Sequence, residues 1–213
     1  GRSYTVTFRA GLPSGEGERL GRSATIEAYV RDRTPAVRIA GRAYILPRGG
    51  AVAIPVETVN TARLDLRLMR VDDRNLVRSV LDRYFGRPLQ DYEDEEFVAG
   101  IAEEVWSGTA EVAMEVNRDM TTRLPLDEVL GGLPAGVYVL RAAVPDTESW
   151  EHPAAHQWFV VSDLGMTTLT GADGLHVIVR SLGSAGAREG VRLTLLARSN
   201  RVLGEAVTDA QGY

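Results

Sequence analysis

The chain has 213 residues, of which 44% are hydrophobic and 25% charged, with a formal net charge of −5. That is enough apolar material for a packed core and too much for a disordered chain, and the acidic balance argues against nucleic acid as a partner. There is no cysteine, which removes disulfides, thiolate metal ligands and cysteine nucleophiles.

No run of about 18 apolar residues exists, so no helix of this sequence is apolar enough to span a bilayer. Gly1-Arg2-Ser3-Tyr4 lacks the apolar run of a signal peptide. For an exported protein, a signal is expected upstream.

Tyr4, Val6 and Phe8 alternate with Thr5, Thr7 and Arg9, the period-two pattern of a half-buried strand. Residues 11–21 carry Gly11, Pro13, Gly15 and Gly17 and read as a loop. Ala24, Ile26, Ala28 and Val30 alternate with Thr25, Glu27 and Tyr29, a second strand able to pair with the first. A lone hairpin is marginal in water. Residues 1–34 are therefore expected to be the tail of a preceding domain, or to dock on the residues C-terminal to them.

Thr34-Pro35 marks a break. Short strands are expected at residues 37–39 and 43–46, a turn at 47–50, and a looser strand at 51–59, where Pro55 suggests an edge or a bulge. Leu64, Leu66 and Leu68 alternate with Arg63, Asp65 and Arg67, a strand with one wet face. The period then changes. Leu76, Val80 and Tyr84 recur every four residues beside Val77, Leu81 and Phe85, an apolar helical stripe. Asp72 or Asp73 can cap its start, and Gly86 with Pro88 can stop it. An acidic loop comes next at Asp91, Glu93, Asp94, Glu95 and Glu96, with a short helical turn at 97–104. Residues 72–104 thus read as an insertion between two strands, and the acidic loop should be its protease-sensitive point. Strands resume at 105–116, 121–126 and 137–144, with one helical turn at 127–130.

Residues 157–180 organise the rest. Trp158-Phe159-Val160-Val161 is apolar without a break and suits a strand buried on both faces. Ser162-Asp163 interrupts it. A strand, an Asp173-Gly174 turn and another strand come after it. This reads as a seam where one β-sandwich hands the chain to the next with almost no linker. Further strands are expected at 191–198 and 201–207, and Asp209 to Gly212 is itself a turn. A strand should succeed that turn, so residues 162–213 are expected to be the first half of a sandwich, its last hairpin frayed or packed on another copy.

The order of motifs from Gly41 onward is distinctive: Gly-Arg-Ala-Tyr-Ile-Leu-Pro-Arg-Gly-Gly, Ile-Pro-Val-Glu-Thr-Val-Asn-Thr, Asp-Asp-Arg-Asn-Leu-Val-Arg, Pro-Ala-Gly-Val-Tyr-Val-Leu, Gln-Trp-Phe-Val-Val-Ser-Asp-Leu-Gly and Asp-Gly-Leu-His-Val-Ile-Val-Arg-Ser-Leu. It resembles the N-terminal part of the bacterial alpha-2-macroglobulin family, large protease-trapping proteins built from rows of macroglobulin β-sandwiches. The resemblance implies a mainly β fold of tandem antiparallel, fibronectin- or immunoglobulin-like sandwiches. It divides the chain into the hairpin 1–34, a complete macroglobulin-like sandwich at 35–161 carrying the 72–104 insertion, and half of a second at 162–213. It also implies a non-catalytic scaffold of a protease inhibitor, periplasmic and lipid-anchored in its intact form. The implied partners are target proteases, neighbouring macroglobulin domains and a periplasmic peptidoglycan synthase, with no cofactor. The family's thioester motif, Cys-Gly-Glu-Gln, needs a cysteine that this chain lacks.

Candidate chemistry is sparse, and no catalytic, cofactor or metal residue is assigned. His152 and His156 would share a helical face and could bind metal, but Pro153 lies between them in a loop. His176 reads as a strand packing or surface residue. The acidic run 91–96 lacks the spacing of a calcium loop. Glu103-Glu104 and Glu111-Glu115 could be paired as glycosidase carboxylates, yet Glu111 and Glu115 fall on a wet strand face. Ser162-Asp163 is no nucleophile elbow, since no Gly-x-Ser-x-Gly surrounds it. Asp163 is expected to turn the chain by bonding its own backbone. Trp106 and Trp158 read as core, while Trp150 is the aromatic placed for exposure. An adhesive or carbohydrate-binding sandwich is the second reading and a hydrolase the third.

Overall fold

A computed structural model describes residues 1–39, 44–46, 53–71, 75–76, 84–85, 87–89, 91–147 and 151–213. Its elements run β1 (Arg2–Phe8), β2 (Ala24–Val30), β3 (Ala36–Ile39), β4 (Tyr44–Leu46), β5 (Ala53–Val59), β6 (Arg63–Val71), α1 (Asp91–Gly100), β7 (Ala102–Glu111), β8 (Asp119–Pro125), α2 (Asp127–Gly131), β9 (Gly136–Ala143), β10 (Ala155–Val161), β11 (Leu164–Gly171), β12 (Gly174–Ser181), β13 (Arg192–Leu196) and β14 (Val202–Val207). The expected turn at 47–50, most of the helical stripe at 76–85 with its caps Asp72, Asp73 and Gly86, and Trp150 lie outside the described residues.

β1 and β2 form an antiparallel hairpin, with Val6 opposite Ile26 and Tyr4 opposite Ala28. The alternation predicted half-buried strands. Instead every β1 residue is exposed, including Tyr4, Val6 and Phe8. The pattern reports which face is apolar; it does not supply a cover for that face.

The central body is a two-layer sandwich. One sheet has the order β3-β5-β8, the other β4-β10-β9-β6-β7. Their facing side chains make one core: Ile54 and Val56 from β5, Leu124 from β8, Leu64, Leu66 and Leu68 from β6, Tyr138 and Leu140 from β9, and Phe159 from β10. Pairing is antiparallel except at one edge, where β4 runs parallel to β10. Pro55 lies just past the last residue of β5 paired to β3, Val56. Its missing N–H therefore costs no ladder bond there.

A second core covers the other face of the five-stranded sheet. Met69, Val71, Val139 and Trp158 meet Leu89, Phe97 and Ile101 of the insertion. This makes β10 dry on both faces, as its unbroken apolar run predicts. Trp158 serves the helix side and its neighbour Phe159 the sandwich side. The wet face of β6 is correspondingly short: Asp65 and Arg67 are exposed, but Met69 and Val71 are fully buried.

The acidic loop is instead the helix α1. Glu93, Phe97 and Ile101 stand four residues apart and all turn inward, at 9%, 0% and 5% exposure. Arg87 meets the Glu93 carboxylate with two bonds of 2.6 Å, which permits that burial. The expected helical turn at 97–104 also gives way, since β7 begins at Ala102.

β7 carries a bulge. Leu68 faces Trp106 while Met69 faces Glu104, so Val105 is the extra residue. Ala102 and Trp106 would otherwise share a face. The bulge sends Ala102 to the helix-side core and Trp106 to the sandwich core. A Cβ on Gly108 would come within 2.6 Å of the Trp106 ring, so only glycine lets that ring lie along the strand. The strand stops at Glu111, short of the expected 116. Val112 N–H still donates to Ala62 O at 2.9 Å, and the backbone then turns to the other sheet, Ala113 N–H donating to Thr122 Oγ1 at 3.0 Å.

Past Val161 the chain forms two hairpins. β11 pairs with β12 through Gly171 opposite Gly174. Gly174 has φ of +137°, which side chains resist. β13 pairs with β14, with a register shift at Leu195/Leu196. The last hairpin is not frayed at its base. Thr208, 3% exposed, accepts from Val191 N–H at 2.9 Å and donates to Arg188 O at 2.6 Å. Val179 N–H on β12 donates to Gly212 O at 2.7 Å. The expected Asp209 turn is present: its carboxylate accepts from Gln211 and Tyr213 N–H, both at 2.9 Å.

Candidate functional site

Polar chemistry concentrates where the chain passes from one body to the next. At the first junction, residues 31–35 cross from the hairpin to β3. Two turns of the sandwich reach the same place. Asn60 lies just after β5 and Asn117 precedes β8, with φ of 49° and 65°. Asparagine tolerates this left-handed region better than most residues. Their amides interlock: Asn60 Oδ1 accepts from Asn117 N–H at 2.6 Å, and Asn60 Nδ2 donates to Asn117 Oδ1 at 3.1 Å. Asn117 Oδ1 also accepts from Arg33 N–H at 2.8 Å, and its Nδ2 donates to Asp32 at 2.9 Å. Asn60 Nδ2 donates to Arg33 O at 2.6 Å. The Arg33 guanidinium grips both oxygens of Asp119 at 2.7 and 3.0 Å, and Arg38 of β3 adds a third bond at 2.8 Å. The Arg33 bonds hold the Asp119 carboxyl below the usual carboxylate range, with Arg38 assisting.

At the second junction, Ser162 and Asp163 divide the work. Ser162 Oγ accepts from Leu164 N–H at 2.9 Å. Ser162 thus makes the local turn that was expected of Asp163. The Asp163 carboxylate reaches across sequence, accepting from Gly183 N–H and Ser181 Oγ, both at 3.0 Å, and from Arg188. The Gly183 N–H above all, then Arg188 and Ser181, keep its pKa low. Asp163 therefore fixes the turn after β12 against the start of β11.

The two C-terminal hairpins form an open, mostly apolar groove of about 410 Å³. Leu175, Val177, Leu193, Leu195, Ala206 and Tyr213 line it. His176 also lines it; its Nε2 lies 3.0 Å from Asp173 Oδ1 and its Nδ1 2.5 Å from the Tyr213 hydroxyl. The His176 bond holds the Asp173 carboxyl low.

The remaining candidates do not converge. His152 Nδ1 is 2.9 Å from Pro35 O, whereas buried His156 accepts from Leu89 N–H at 3.4 Å. Glu104 lies 3.7 Å from Arg67, and Glu115 pairs with Arg118. Glu115 is also outside β7, so Glu111 and Glu115 share no strand face. Among the described residues no group of three or more His, Cys, Asp or Glu side chains is placed to hold a metal. Trp158 is 1% exposed and Trp106 packs on the sandwich core, as expected. Sequence reasoning missed Asn60, Asn117 and Asp119. Their only signal was a polar residue at each of two turns, and nothing linear shows that the turns meet.

Sheet-built bodies joined end to end by polar junctions define a modular β-sandwich protein. Comparison with known proteins specifies it. A model of the bacterial alpha-2 macroglobulin MG2 domain matches residues 38–153, and one of the bacterial alpha-2-macroglobulin MG3 domain matches residues 161–213. The chain belongs to the bacterial alpha-2-macroglobulin family. It is 26% identical over 217 residues to an alpha-2-macroglobulin of Xylella fastidiosa, covering 99% of this chain and 13% of that protein. It is 25% identical over 183 residues to that of Escherichia coli, covering 86% of this chain and 11% of the relative. The chain thus spans about an eighth of these relatives. Native Escherichia coli alpha-2-macroglobulin spanning domains MG0-NIE-MG1 superposes with a TM-score of 0.68 at 24% identity, over 99% of this chain and 66% of that one. Salmonella alpha-2-macroglobulin reacted with methylamine gives 0.69 at 25% identity, over 99% of this chain and 12% of that one.

Proposed function

We propose that this chain is a non-catalytic scaffold within a bacterial alpha-2-macroglobulin that traps and inhibits proteases in the cell envelope. The observation that carries the reading is tandem order: two successive macroglobulin domain types match one chain that aligns over 99% of its length with a named alpha-2-macroglobulin. The domain division in this reading is 1–34, 35–161 and 162–213. It is supported by β10, which pairs with β9 along its whole length and so belongs with the sandwich before Ser162. An adhesive surface would expose Trp106, Trp150 and Tyr138; Tyr138 is buried in the sandwich core and Trp106 is partly buried against it, while Trp150 lies outside the described residues.

In this reading the intact protein is periplasmic and lipid-anchored. Its partners are target proteases, neighbouring macroglobulin domains and a peptidoglycan synthase. The test is capture by the intact protein. It should block proteolysis of casein while sparing cleavage of a small peptide substrate by the same protease, and the isolated 213-residue chain should leave both reactions unchanged. Unimpeded casein hydrolysis in the presence of excess intact protein refutes the reading. Ester or glycoside turnover by the isolated chain, lost on mutating Glu111 or Ser162, would restore an enzyme.

A further inference from the structure

The first junction has a construction unlike that of the cores. Its bonds are made by exposed polar groups, and they centre on two residues, Asn117 and Arg33. Asn117 uses its backbone N–H, Oδ1 and Nδ2 together, toward Asn60, Arg33 and Asp32. The segment it holds begins at Asp32, two residues past the end of β2 at Val30. Arg31 alone separates the hairpin from the first held residue, which leaves one residue's pair of soft dihedrals for any swing. Beyond it, Arg33 is fixed at its N–H, its carbonyl and its guanidinium. Pro35 then restricts the backbone further, and its carbonyl meets His152 at 2.9 Å.

We propose that Arg33, Asn60, Asn117 and Asp119 form a latch that joins the β1–β2 hairpin and the central sandwich into one rigid body. Opening it at Asn117 releases Asp32 and the Arg33 N–H, and the hairpin then swings about residues 31–33. The latch is releasable because of what it is made from. Exposed hydrogen bonds and ion pairs are each worth little in water, so the joint depends on their number and can part without disturbing either core. This inference stands on the junction geometry and does not need the protease-trapping reading.

The absence of native cysteine allows spin labels to be placed without background. Thr5→Cys on β1 and Thr121→Cys on β8 are both exposed sites. Pulsed electron double resonance on the 213-residue chain should give one narrow distance distribution. Asn117→Gly keeps the left-handed backbone accessible while deleting the amide, and should at least double the width. Asn117→Asp retains the shape but sets a carboxylate against Asp32, and should broaden it likewise. Arg33→Gln, in an exposed linker, should broaden it without any folding cost. Amide exchange in β6 and β9 should be unchanged in all three. A broad distribution in the unmutated chain, or widths in Asn117→Gly and Arg33→Gln equal to the parent's, overturns the latch.

Discussion

Replacing Trp158 by alanine should detach the insertion from the sandwich. The ring is 1% exposed, and its centroid lies 5.1 Å from that of Phe85 and 5.4 Å from that of Phe97. Its Nε1 donates to Arg87 O at 2.9 Å. Removing a buried aromatic costs about 3–5 kcal/mol through lost transfer energy and a residual cavity. The lost hydrogen bond adds about 1 kcal/mol. The expected loss is therefore about 4–6 kcal/mol, and Trp158→Phe, which keeps most of the apolar contact, should lose about 1–2 kcal/mol. The hairpins need not melt with the sandwich, so a single midpoint is the wrong readout. Native-state hydrogen exchange at β9 and β10 amides reports the unit that Trp158 serves. The order of the two variants matters as much as the totals. A loss below about 1 kcal/mol for the alanine variant would refute the packing argument.

Leu66→Ala should cost about 3 kcal/mol by the same exchange measurement, whereas Val6→Ala, at 38% exposure, should stay within about 0.5 kcal/mol. Equal losses would show that the hairpin face is covered in solution. Glutamyl endopeptidase should cleave after exposed Glu16 or Glu18 before Glu93, because Glu93 is held inside α1 by Arg87; first cleavage at Glu93 refutes that placement. Acid should loosen the Asp163 turn. Its folded pKa is depressed, so its stabilisation is present above the unfolded value of about 3.9 and fades as pH falls through the folded one. The Gly183 amide resonance should therefore titrate below the ordinary carboxylate range, and Asp163→Asn should abolish the titration. A midpoint at or above that range refutes the prediction.

What was legible in the sequence came from short-range pattern. Leu64, Leu66 and Leu68 announced a strand, and the unbroken run at Trp158 announced a strand with two dry faces. The acidic helix was hidden because the first member of its inward stripe is Glu93, which reads as a wet residue until Arg87 is placed beside it. The end of β7 was hidden because Val112, Met114 and Val116 keep alternating after the backbone has left the sheet. The hairpin faces were read as half-buried because periodicity names the apolar side without showing a partner. The Asn60–Asn117 clasp joins residues 57 positions apart, and hydrogen-bond complementarity over that distance has no linear signature.

The bulge at Val105 behaves as a frame shift in β7. Substituting this 38%-exposed residue should be nearly silent, since its side chain fills neither core. Deleting it would leave Ala102 opposite Val71 and Trp106 opposite Leu68 in an unbroken ladder, each still on its own side of the sheet. Val105 is thus a spacer that the ladder skips, and its removal should straighten β7 without moving either core residue.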